Sequence, residues 1–191
     1  MTRTIDILRT EHNNMDRLLC VLERELNIFN QGNRPDYEVL RAIVDYFKDY
    51  PDCCHHPKED KIIAMLKVRD PTVAASIGDL NAAHQEGTKL LNRVAQAIES
   101  VLRDQDILRQ SVDHIVRDFI DNERRHMALE EQVIFPAALR VLRPEAWTEI
   151  NTEFADNQDP LSHSSLEQKF NLLRQEILQM ESEAEVERHS K

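Results

Sequence analysis

Histidine and glutamate recur in this chain at a spacing suited to metal coordination. His55 is followed four residues on by Glu59, and His126 by Glu130. Residues i and i+4 share a helix face, so each pair directs an imidazole and a carboxylate at one point. His12 and His84 stand singly inside long helical patterns. Alone, such a histidine is usually a satisfied core residue, and a lone His–Glu pair a surface hydrogen bond. The joint pattern differs, with one histidine on each of four seams and glutamate at i+4 behind two of them. Burying two carboxylates among four imidazoles is costly unless cations partner them. The expected ligands are therefore His12, His55, Glu59, His84, His126 and Glu130, holding two metal ions. Imidazole with bridging carboxylate suits iron ahead of manganese or zinc. Structural zinc favours a closed tetrahedral site, often with thiolates. Two imidazoles per ion and two bridging glutamates leave room for an oxo or hydroxo bridge and a small ligand.

Four seams must position these groups. The first helix is expected from near Thr4, as N-cap, to Asn30, with Ile5, Leu8, His12, Met15, Leu19, Leu22, Leu26 and Phe29 in steps of three and four. Gly32, Asn33 and Pro35 end it. A second begins near Asp36, and Tyr50-Pro51-Asp52 reads as an interruption. Asp52 would cap a restart carrying His55, Glu59, Ile62, Ile63 and Leu66, kinked where Pro57 removes a bond to Cys53. A restart only at Pro57 would instead leave His55 ahead of the helix. Asp70-Pro71 opens a third helix through Val73, Ile77, Leu80, His84, Gly87, Leu91, Val94, Ile98 and Val101. After a turn near Asp104, a fourth turns Val112, Ile115, Phe119, Asn122, His126, Glu130 and Val133 inward, with Pro136 in its last part. Short connections imply an all-α, up-down-up-down antiparallel four-helix bundle over residues 1–142. Residues 143–191 read as an appended C-terminal helical element packed on the bundle, carrying Trp147, Ile150, Phe154, Leu166, Phe170, Leu173, Ile177 and Met180. Its charged end, from Glu181, is expected to fray.

Composition narrows the partners. A net charge of −11 over 191 residues argues against nucleic-acid backbones and anionic membrane surfaces. No apolar run approaches the ~20 residues that span a bilayer, and Met1–Asp6 has no signal-peptide apolar region. Three cysteines, Cys20, Cys53 and Cys54, suggest no disulfide framework and a reduced, cytoplasmic protein, monomeric or weakly dimeric.

The run from Tyr50 to Asp60, with Cys53-Cys54-His55-His56-Pro57-Lys58-Glu59, resembles the first HHE motif of the hemerythrin-like cation-binding domain. The run from His126 to Pro136 resembles its second, and Asp159-Pro160-Leu161 a segment that many bacterial members carry after the bundle. The resemblance spans about residues 4 to 175. It implies a non-haem di-iron centre that reacts with O2, NO or peroxide, or senses iron. Oxygen-carrying hemerythrins place a fifth histidine four residues after the third-helix ligand, where this chain has Thr88. They also place a carboxylate five residues after the fourth-helix histidine, and bacterial stress-linked members place it at four. Glu131 and Glu130 offer both. The ligand set resembles that of di-iron proteins implicated in repairing iron centres after nitrosative or oxidative stress.

Blander readings attach to the remaining candidates. His56 lies about 100° around the helix from His55, and Glu131 about 140° from His126, so neither is expected to reach the metal. Cys53 and Cys54 more often pack than react. His114, His163 and His189 read as surface residues, and Tyr46 and Tyr50 as either donors to the cluster or core. Two functions compete. One is a di-iron protein that binds or reduces a small oxidant. The other is a non-enzymatic iron or oxygen sensor, or iron donor, acting through a partner. A ferritin-like oxidase would use Glu-x-x-His spacing, which is reversed here.

Overall fold

The first seam folds as one long helix, α1 (Arg3–Asn30), in a computed structural model that describes residues 2–77, 79–155 and 163–189. The helix starts ahead of Thr4. That hydroxyl does not cap; it donates to Asn151 Oδ1 at 2.7 Å. Asp36 does cap α2 (Tyr37–Tyr50), its carboxylate accepting from the Glu38 and Val39 amides at 3.0 and 3.1 Å.

Tyr50-Pro51-Asp52 does not interrupt the chain's helical path. Pro51–His55 forms a single π turn, closed by the His56 amide on the Pro51 carbonyl, and α3 (His56–Arg69) follows directly. The physical reason is Pro57, which has no N–H and would clash with the carbonyl four residues back. One wide turn ahead of it re-spaces the carbonyls. The Lys58 ammonium takes the Cys54 carbonyl at 2.5 Å.

The expected third helix is two. α4 (Pro71–Ile77) stops, and α5 (Leu80–Leu102) starts afresh where Asp79 accepts from the Ala82 amide at 3.2 Å. Asp104, at φ 50°, turns the chain back in the left-handed conformation that Asp tolerates. The fourth seam holds α6 (Arg109–Leu129), a second π turn (Glu130–Ile134) and α7 (Phe135–Val141). Again a proline, Pro136, stands two residues past the wide turn. The extra residue shifts the helix phase: Val133, expected inside, is 40% exposed, and Ile134 is buried in its place.

α1, α2–α3, α5 and α6 pack as a ring of neighbours, the expected all-α bundle. Beyond it lie α8 (Pro144–Ala155) and α9 (His163–His189). The charged end is helical as far as His189, and Glu181 is buried in an ion pair with Arg24. Asp159-Pro160-Leu161 lies outside the described residues, as do the side chains of Leu166, His163 and His189. Cys53 and Cys54 are joined as a disulfide, contrary to the reduced reading, and Cys20 is free and exposed. Tyr46 and Tyr50 stack in the core against Phe170. Among the described residues no helix is long and apolar enough to cross a membrane.

The apolar residues form two clusters. One holds Met15 to Leu26 of α1, most of α2, the C-terminal parts of α5, α6 up to Met127, and Phe170 and Ile177 of α9. The other holds Ile5 and Leu8, Ile62 to Leu66, Leu80, Ile134 to Ala138, and Trp147 and Ile150 of α8. On α1, α2–α3 and α5 the histidines fall between the two, and on α6 His126 lies at the edge of the first, beside Met127. The polar groups are thus a layer clamped between two apolar halves.

Candidate metal centre

Two groups of donors face one another in that layer. His12, His55, Glu59 and Glu130 form the first; His56, Glu59, His84 and His126 form the second, with ligand atoms in each group within 4.8 Å of one another. Glu59 belongs to both. Its Oε1 lies 2.9 Å from His55 Nε2 and 3.6 Å from His12 Nε2, and its Oε2 lies 3.6 Å from His84 Nε2. Glu130 also spans the groups, with Oε2 at 3.2 Å from His12 Nε2 and Oε1 at 3.2 Å from His126 Nε2.

The donors converge without satisfying one another. Both oxygens of Glu59 and of Glu130, His84 Nε2 and both nitrogens of His126 are buried with no hydrogen bond of acceptable geometry among the described residues. The Nε2 atoms of His12 and His55 point at each other across 3.1 Å. Buried polar atoms are rarely left so. Cations in the layer would accept the lone pairs of Glu59, Glu130, His84 Nε2 and His126 Nε2, so the residues fit metal ions.

Comparison with known families gives the same reading. The hemerythrin HHE cation binding domain matches residues 3–138, from the start of α1 into α7. The chain belongs to that family. It is accordingly a cation-binding chain with histidine and glutamate as its ligand types. Curated proteins and solved structures yield no match. α8 and α9 lie beyond the matched hemerythrin domain.

The six residues expected as ligands all lie in this layer, and His56 stands among them. His56 was expected to point away, yet it stacks on His84 with centroids 3.6 Å apart, within reach of Glu59 and His126. The π turn is the cause: it ends at His55, and the two adjacent histidines straddle Glu59, one per group. The Thr88 hydroxyl donates to its own helix, to the His84 carbonyl at 3.1 Å. Pro57 was the available signal, because a proline inside a helical run forces the ladder to be re-spaced there.

Three of the five imidazoles are held from behind by carboxylates. His55 Nδ1 donates to Glu11 Oε2 at 2.7 Å, His12 Nδ1 to Glu131 Oε1 at 3.1 Å, and His56 Nδ1 to Asp52 Oδ1 at 2.9 Å. Each bond fixes the tautomer that presents the Nε2 lone pair to the layer, and each raises its basicity. Glu131 is thus no spectator: Arg9 holds its other oxygen at 3.0 Å. The 140° offset assumed a regular helix, and Glu131 lies inside a π turn. Phe135 closes the layer by stacking on His12 at 5.5 Å.

Without cations, the hemerythrin site stores protons. Burial opposes charge on His12, but Glu130 and Glu59 outweigh it and lift the imidazole to about 9. Burial likewise opposes His55, which Glu59 and Glu11 raise to about 10. Burial together with Glu59 lifts Glu130 to about 7. Burial, with His84 close by, drops His56 to about 4, and burial drops His126 to about 4.

Proposed function

We propose that this chain is a non-haem di-iron protein that binds or reacts with a small oxidant, O2, NO or peroxide, in a stress response. The observation that carries the reading is Glu59, whose two oxygens face two different histidine groups. A carboxylate so placed could serve a cation in each group. His12 and His55 would hold one ion, and His56, His84 and His126 the other, with Glu59 and Glu130 between them. Iron is favoured over zinc because no thiolate lies in either group and the donors are nitrogen and carboxylate oxygen. Bound there, an iron pair supplies one- and two-electron chemistry toward a small oxidant.

The chain's own residues do the rest. Glu11, Glu131 and Asp52 orient three imidazoles. The two apolar clusters flank the layer and bury the first group.

Elemental analysis and absorption spectroscopy after aerobic Fe(II) loading test this. Two irons per chain with ferric charge-transfer bands support it. A single zinc per chain without such bands overturns it. Sustained consumption of peroxide or NO marks an oxidant-reducing protein; reaction that stops at one equivalent per site marks a sensor or iron donor.

A further inference from the structure

Cys53 and Cys54 belong to neither donor group, and their disulfide joins neighbours in the chain. A disulfide steadies a fold mainly by closing a loop, and the effect grows with loop length. At a sequence separation of 1 there is almost no loop to close. The bond therefore does not act as a staple. The segments on either side of it, α2 and α3, are already continuous through the π turn, which the His56 amide closes on the Pro51 carbonyl.

The two sulfurs differ in access. Cys54 is 1% exposed and belongs to the first apolar cluster, whereas Cys53 is half-buried and packs against that cluster from outside. The reduced pair also fits the turn. Cys53 Sγ lies 3.5 Å from the Tyr50 carbonyl oxygen, which can accept from a thiol S–H but gains nothing from a disulfide sulfur. A released Cys54 is a small apolar side chain among apolar neighbours, the usual setting of a free cysteine.

We propose that Cys53–Cys54 is a thiol–disulfide exchange site for small-molecule thiols, with Cys53 the sulfur that is attacked and Cys54 the leaving group. An incoming thiolate bonds to Cys53 Sγ as the S–S bond breaks, and Cys54 departs with the electron pair and takes up a proton. A second thiolate attacks the small-molecule sulfur of the mixed disulfide and releases Cys53, which is protonated in turn. One protein disulfide and two thiols thus give one protein dithiol and one small disulfide, and the reverse steps re-form the bond. The partner is small because a half-buried sulfur within a helical turn offers no protruding bond to a protein active site. Neither step involves a metal, so failure here leaves the di-iron reading untouched, and the reverse holds too.

Full-length protein carrying Cys20→Ser, which removes the exposed third cysteine, provides the test. It is equilibrated in native buffer with mixtures of reduced and oxidised glutathione, quenched in acid, alkylated and weighed by mass spectrometry. The thiol count should pass from zero to two as the reduced fraction rises. The two forms should melt within about 4 °C of one another. In the same background, Cys54→Ala should retain one glutathione on Cys53 after exposure to oxidised glutathione, because the sulfur that would expel it is gone. Cys53→Ala should be modified about tenfold more slowly or less, at a sulfur the fold covers. A pair that stays oxidised under reduced glutathione until denaturant is added is a buried staple and overturns the inference. So does a pair that remains as two thiols in every mixture, or a reduced form that melts further below the oxidised one than that. Equal rates of modification in the two single-cysteine variants overturn the assignment of Cys53 as the attacked sulfur.

Discussion

Lys58 is a charged residue whose burial needs a reason. The residue is 3% exposed, and its ammonium lies 2.8 Å from Oε1 of Glu11, which holds His55 with its other oxygen. Burial alone would raise Glu11, but His55 and Lys58 outweigh it and keep the carboxyl below its ordinary value. Lys58 therefore keeps Glu11 ionised, Glu11 keeps the proton on His55 Nδ1, and Nε2 stays open to a cation. Lys58→Met should leave an uncompensated carboxylate, weaken metal affinity about 10–100-fold in chelator competition, and destabilise the metal-free fold by about 3–5 kcal/mol. Unchanged affinity would show that the chain of contacts does not reach the metal. Glu130 and Glu131 separate in the same assay. Glu130→Ala removes a carboxylate placed between both groups and should abolish the second ion. Glu131→Ala frees only the back of His12 and should cost about tenfold with both ions retained. Equal losses would mean that Glu131 coordinates directly.

At the scale of elements, the seams and their histidines were legible because periodicity of three and four survives in sequence. The π turns were not. A wide turn contributes one extra residue, and nothing in the side-chain pattern of Pro51 to His55 marks which residue is extra. Hence Val133 was placed inside where Ile134 belongs, and His56 and Glu131 were turned away from groups they join or support. The break at Asp79 was missed for a related reason: Val73 and Ile77 keep the seam's step, while Asp79 starts a new helix with its own cap. If the first π turn is what spreads His55 and His56 over two groups, removing its extra residue should undo that. Deleting Cys53 together with Pro57→Ala, which removes the proline that demands the wide turn, should restore ordinary helix with the flanking faces kept. Far-UV circular dichroism should stay helical while the second ion is lost; Cys53→Ala should keep both ions. Two ions in the deletion variant would show that the turn is incidental to the site.

The whole molecule is two apolar halves with a charged layer between them, and α8 and α9 each complete one half. Such a layer is stable only when its charges are balanced, by protons or by cations. In the metal-free protein, His12 near 9 and His55 near 10 lie above the ordinary 6.5. Their stabilisation is fully present below pH 6.5 and is lost as pH rises through 9 to 10. Glu130, near 7 rather than 4.5, adds a penalty for ionisation that is complete above pH 7. The melting temperature of the metal-free protein should therefore fall between pH 7 and 10, and a flat profile there would refute the stored-proton account. Cations displace those protons and bind only the folded layer, so anaerobic Fe(II) loading should raise the melting temperature and flatten its dependence over pH 7 to 9. Glu59→Gln combined with Glu130→Gln tests the balance from the other side. It lifts the ionisation penalty at Glu130 but takes away the carboxylates that hold His12 and His55 charged, and those imidazoles keep Glu59 well below its ordinary value, so the metal-free form should melt lower than metal-free wild type at pH 8. The same variant should no longer respond to iron, because neither amide can bridge two cations as a carboxylate does. A double variant that melts higher than wild type without metal would mean that the layer gains more by losing those charges than the protonated imidazoles lose.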